Sequence, residues 1–123
     1  VATEVWIPGF QAADATAHTA ATLWTYRAPF AGTLLDVRAN LVTPGTAAAP
    51  SFDVRKNGVS MFTAIPTFNV TTGTTLVGAS APFAIKTDGT QTVVEDDTIT
   101  IVGVTAGTGT AGLKTWLKFR RTS

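Results

Sequence analysis

Asp53-Val54-Arg55-Lys56-Asn57-Gly58-Val59-Ser60-Met61-Phe62 is the stretch whose reading decides the fold. Asn57-Gly58 can take the two positive φ angles of a type I′ turn, whose twist matches that of paired strands. The runs on either side alternate apolar with polar residues, so the stretch reads as a β-hairpin. Phe52 and Val54 are expected on one face, Asp53 and Arg55 on the other. Val59, Met61 or Phe62 supply the return contacts, in a register left open, and the second strand is expected to run on toward Ile65-Pro66.

Outward from the hairpin, the same period recurs. In residues 33–41, Leu35, Val37, Ala39 and Leu41 share one side while Asp36, Arg38 and Asn40 share the other, the signature of a sheet with one buried face. Residues 98–105 form a second apolar-rich strand, and Val93-Val94 follows an Asp88-Gly89 turn. In the last strand Leu113, Thr115, Leu117 and Phe119 face inward, leaving Lys114, Trp116, Lys118 and Arg120 outside. A tryptophan among cations reads either as a binding strip or as an aromatic shielded by lysine stems on an edge strand. Gly107-Thr108-Gly109-Thr110-Ala111-Gly112 has the spacing of a dinucleotide-binding fingerprint, but a strand rather than a helix follows it. The glycines are therefore expected to be a hairpin loop joining the last two strands.

Toward the amino terminus, Val5, Trp6, Ile7 and Phe10 crowd apolar groups beside Pro8-Gly9. Residues 1–14 read as an amino-terminal arm or edge strand, whose Trp6 needs a burial site in its own core or on a neighbouring protein; residues 15–123 form the sandwich domain. Residues 11–22 are rich in alanine but lack large apolar residues at helical spacing, so a loop or weak strand is expected there. His18, the only histidine, is expected at the surface, since no companion lies at ligand spacing. Residues 66–84 are polar and irregular, anchored by Leu76, Val77 and Phe83; Asn69-Val70-Thr71 matches a glycosylation acceptor pattern, a short match with no secretory context.

Composition excludes several classes of function. A net charge of +1 provides no field to draw the chain to nucleic acid or a membrane, and no run approaches the length of a membrane span. With no cysteine there is no disulfide, thiolate nucleophile or Cys-type zinc site. Glu95-Asp96-Asp97 invites a calcium reading, but contiguous acids at a strand entrance fit a solvated turn better than a site needing spaced oxygens. Nucleophilic catalysis would need Ser51, Ser60 or Ser80 beside a base, and His18 lies in a segment of its own. No catalytic, metal or cofactor residues are assigned, no small-molecule substrate is implied, and an enzyme is not expected. Charged residues are only 14% of the chain and threonine about a fifth, so either small side chains tile the exposed faces or other subunits cover them.

Short strands separated by Gly, Pro and Thr loops, without a helix-period segment, define an all-β single-domain β-sandwich; about eight strands suit a jelly roll. Val37, Val54, Ile99, Ile101, Leu117 and Phe119 are its expected core. Residues 27–39 (Arg27-Ala28-Pro29-Phe30-Ala31-Gly32 and the strand after it), residues 52–62 around Asn57-Gly58, and Asp96-Asp97-Thr98-Ile99-Thr100-Ile101 with the later Gly109-Thr110-Ala111-Gly112-Leu113-Lys114 carry a resemblance. They resemble small trimeric jelly-roll virion proteins of tailed bacteriophages, of the capsid decoration (cement) type. That resemblance implies a homotrimer on the outer capsid surface, with the major capsid protein as partner and no cofactor. The alternative it implies is a fibre or spike head that binds a host-surface glycan or protein receptor. Val5, Trp6, Ile7, Phe10, Trp24 and Trp116 are the candidate partner-interface residues.

Overall fold

The computed structural model describes residues 3–43, 45–68 and 84–122. Among them are eight strands and no helix: β1 (Thr3–Gln11), β2 (Thr22–Arg27), β3 (Gly32–Thr43), β4 (Ser51–Lys56), β5 (Val59–Ser60), β6 (Thr92–Val93), β7 (Thr98–Thr105) and β8 (Ala111–Arg121). Strands β1 and β8, β2 and β7, β3 and β6, and β4 and β5 pair antiparallel, the ladder of one long hairpin folded on itself. Two further pairings, β3 with β8 and β4 with β7, roll that ladder into two sheets, β1-β8-β3-β6 and β2-β7-β4-β5. This is an eight-stranded jelly roll.

The turn chemistry behaves as read: Asn57 has φ 50° and Gly58 φ 86°. All six expected core residues are buried, as are Phe52, Met61, Phe62 and Phe68, so both Met61 and Phe62 supply return contacts while Val59 is exposed. Phe52 gathers the rings of Phe62 and Phe68, at centroid distances of 6.4 and 6.0 Å. These rings close the flank where the edge strands β5 and β6 are only two residues long. The hairpin's second strand stops at Ser60, short of Ile65-Pro66; Phe62 then bridges to Ile85.

Other expectations give way. Leu34, not Leu35, is buried, because the β3–β8 register slips between Leu34 and Asp36; a bulge shifts the alternation by one residue, and Val37, Ala39 and Leu41 resume it inward. The 107–112 glycines do not close a hairpin: β7 and β8 lie in different sheets, and the loop crosses between them with Gly107, Gly109 and Gly112 at positive φ. Nor is Trp116 on an edge strand, since β8 lies between β1 and β3.

His18 is buried rather than at the surface. The 12–21 connection straps one end of the sandwich: Ala12 N–H donates to Leu113 O, His18 N–H to Thr110 O, and Gly103 N–H to Ala21 O, tying β8 to β7. His18 Nε2 lies 2.9 Å from the Ser51 carbonyl oxygen. A carbonyl only accepts, so Nε2 carries the proton. The strap lies so close to β7 that a Cβ on Gly103 would overlap the Thr19 carbonyl oxygen. The Asn69-Val70-Thr71 pattern, Ser80 and the anchors Leu76, Val77 and Phe83 lie outside the described residues.

Candidate functional site

Pairing of β1 with β8 sets Trp6 opposite Lys118 and Pro8 opposite Trp116, and pairing of β3 with β8 sets Arg38 opposite Trp116. Since Leu117 and Phe119 point into the core, these residues share the outer face of the β1-β8-β3-β6 sheet. Trp6 remains 42% exposed there, and exposed Val42 follows Arg38 and Asn40 along the same face of β3. Lys118 Nζ and Arg38 Cζ each lie 5.8 Å from the Trp6 ring centroid, within cation–π range.

The cations of this face are matched by acids. Glu4 pairs with Lys118 at 3.0 Å and Arg120 at 3.5 Å, Asp36 with Arg38 at 3.1 Å, and Asp14 with Lys114 at 3.1 Å. The hydrogen bond and charge of Lys118 hold the Glu4 carboxyl below its ordinary range, with Arg120 adding to the effect. With three acids for four bases, each of these cations has a carboxylate partner. The face offers indole, aliphatic stems and paired charges, the mixture found in protein-binding patches.

The remaining candidates lie beside this face, on the flank where β1 and β2 approach each other. Val5 and Ile7 lie opposite Phe119 and Leu117, so they turn inward, and Phe10 joins them against the core, all three partly exposed. Trp24 and Tyr26, opposite Ile101 and Ile99 in the other sheet, also turn inward. Their rings stack at 5.2 Å with an interplanar angle of 8°. Burial pushes the Tyr26 phenol up, against the opposing charge of Arg121. Gly9 permits the close approach of the sheets, because a Cβ there would lie 2.8 Å from Ile101 Cδ1. The fold thus separates the six candidates: Trp6 and Trp116 stand on the outer face, and Val5, Ile7, Phe10 and Trp24 line the flank. Trp6 is not in the core.

Pro8, Arg38 and Tyr26 belong with these residues and were not singled out from sequence. The Trp24-Thr25-Tyr26 alternation was the available signal for Tyr26. Pro8 and Arg38 reach Trp116 only through strand pairing, for which the sequence carries no local mark.

Elsewhere, several polar groups are committed to structure. Asp53 lies on the polar side of β4 yet is buried, accepting from Ser60 Oγ at 2.6 Å and Arg55 Nε at 2.9 Å. This clasps β4 to β5. Ser60 therefore faces a carboxylate and Ser51 offers His18 only its backbone carbonyl, so neither forms a serine–histidine dyad. In the acidic turn Asp96 has φ 76° and pairs with Arg27 at 3.2 Å, while Asp97 Oδ2 accepts from Val94 N–H at 2.8 Å. No group of three metal-ligating side chains occurs among the described residues.

Comparison of the chain with protein-family models, with curated proteins and with solved structures finds no match.

Proposed function

We propose that this chain is a structural virion protein, a decoration protein that binds the outer capsid surface of a tailed bacteriophage as a trimer and stabilises the shell. One observation carries the reading beyond the resemblance given above: the outer face bearing Trp116, Trp6 and Val42, whose cations are already paired. Such a face gains by burying indole and aliphatic surface against another protein, and its ion pairs form a polar rim. Its fold accommodates the role, since jelly rolls serve in capsids, although they serve in lectins as well. A decoration protein needs no chemistry. It stabilises by linkage, because binding only the assembled shell shifts the equilibrium toward that shell.

The test is co-sedimentation of the purified chain with undecorated, expanded capsids. Saturable binding is expected, and Trp116→Ala is expected to weaken it by about 2 kcal/mol, about 30-fold in Kd, the size of an interface hot spot. Val42→Glu, a change at an exposed position, should weaken it without disturbing the fold. Absence of capsid binding together with saturable binding to host cells or their surface polysaccharide would favour the fibre-head alternative, in which the same indoles stack on sugar.

A further inference from the structure

Asn57 and Gly58 stand exposed at the tip of the β4–β5 hairpin, and a Cβ on Gly58 would meet nothing within 4 Å. Of the chain's asparagines only Asn57 precedes glycine; Asn40 lies within β3 ahead of the buried Leu41, and Asn69 precedes the β-branched Val70. An asparagine loses its amide nitrogen when the main-chain nitrogen of the next residue attacks its Cγ, and a side chain on that next residue obstructs the approach. Glycine presents none. At this tip, however, the carboxamide is occupied: Nδ2 donates to Asp97 Oδ1 and Oδ1 accepts from Thr98 N–H, each at 2.9 Å. Asp97 is itself fixed, because its Oδ2 accepts from Val94 N–H at 2.8 Å.

We propose that Asn57-Gly58 is a site of spontaneous deamidation, restrained by Asp97 and Thr98, whose completion frees the hairpin tip from the start of β7. The Gly58 nitrogen yields its proton to hydroxide and bonds to Asn57 Cγ. The Cγ–Nδ2 bond then breaks, Nδ2 takes a proton from water and leaves as ammonia, and a five-membered imide remains. Water opens the imide at either carbonyl, giving an aspartate or an isoaspartate at position 57; one water is consumed, one ammonia is released and no electron is transferred. Closing the ring turns the carboxamide toward its own main chain and takes both of its polar groups off their partners, so Asp97 acts as a positioning residue that opposes the reaction. The product reverses that relationship. Where Nδ2 donated to Asp97 Oδ1 there is now a second carboxylate, and two negative charges at hydrogen-bond distance repel. An isoaspartate also adds a backbone carbon to a two-residue turn fitted at φ 50° and 86°. The edge strand β5 bonds to β4 alone, and beyond Lys56 the tip is tied to β7 through Asn57, so the tie is lost with the amide.

The test is incubation of the folded chain at mildly alkaline pH, with mass spectrometry of its peptides. Conversion at Asn57 is expected, slower than in the chain unfolded in urea by about tenfold, the factor set by freeing the two hydrogen bonds. Asp97→Ala, which removes one of them, is expected to convert faster than the native chain, with the gentler Asp97→Asn between the two; circular dichroism identifies the variants that stay folded. No measurable conversion in the folded chain once the unfolded chain has converted overturns the proposal, as do equal rates in the two states. Slower conversion in the folded Asp97 variants does so too, since it would mean that Thr98 N–H activates Cγ instead of restraining it. The acid form has a net charge one below the native +1, so ion exchange separates it. Hydrogen exchange of that fraction is expected to show the amide at position 57, bonded to Thr98 O in the native chain, losing protection. Unchanged protection there overturns the release of the tip.

Discussion

Asn57 and Asp97, forty residues apart in sequence, are joined side chain to side chain: Asn57 Nδ2 donates to Asp97 Oδ1 at 2.9 Å. Asn57 Oδ1 accepts from Thr98 N–H at 2.9 Å, and Asn57 N–H donates to Thr98 O at 2.8 Å. A turn residue chosen for its positive φ therefore also anchors the β4–β5 hairpin to the start of β7. Asn57→Gly keeps the φ and loses the side-chain bonds, so it should cost about 1–3 kcal/mol. Asn57→Pro loses the φ and the N–H as well and should cost more. Urea denaturation of the two variants separates tether from turn; an Asn57→Gly variant as stable as the native chain would mean that the tether contributes nothing.

Acid should weaken the fold through three carboxyls. Asp97 is held below its ordinary value chiefly by the Val94 N–H and then by Asn57, Asp88 by Thr90, and Glu4 by Lys118. A lowered folded-state value means that the unfolded chain takes up the proton first. These groups thus contribute stability above the unfolded carboxyl value of about 4, and lose it as the pH falls through their folded values. Thermal melting between neutral pH and pH 2 should show this acid limb, and Asp97→Asn should flatten it.

Gly103→Ala should destabilise by about 1–3 kcal/mol or more, the range for forcing extra atoms into a packed site. Its Cβ would displace the Thr19 carbonyl and with it the strap that seats His18 against Ser51. Hydrogen exchange of the variant should show the amide at position 103, bonded to Ala21 O in the native chain, losing protection first. Unchanged protection would show that the strap is not held there.

Deleting residues 1–10 should unfold the chain or sharply lower its denaturation midpoint. An arm free to dock elsewhere could be removed harmlessly, but β1 pairs with β8 along its length and contributes Val5, Ile7 and Phe10 to the core's edge. Three half-buried side chains at about 1 kcal/mol each, with the strand's hydrogen bonds, are a large share of a net stability of about 5–15 kcal/mol.

Where period-two alternation runs unbroken, as from Leu113 to Phe119 in β8, the sequence was sufficient to place the inward residues. It failed at Leu34, because a bulge is a property of the paired strand and leaves no mark on the alternation itself. His18 was misread for a related reason: its neighbours are alanine and threonine, and only the strap's hydrogen bonds to β7 and β8 carry it inside. The crossing of the 107–112 loop between sheets, like strand order in general, follows from how the folded ladder rolls up, which short-range pattern does not encode. Of the site, the Trp116 face was legible in β8 alone, whereas its union with Trp6 and Arg38 needed two strand registers.

Electron cryo-microscopy of undecorated, expanded capsids mixed with the purified protein tests the central claim most directly. The account predicts jelly-roll density in threefold clusters at regular lattice positions, with the Trp116 face against the shell. Bare capsids at saturating protein concentration would contradict it.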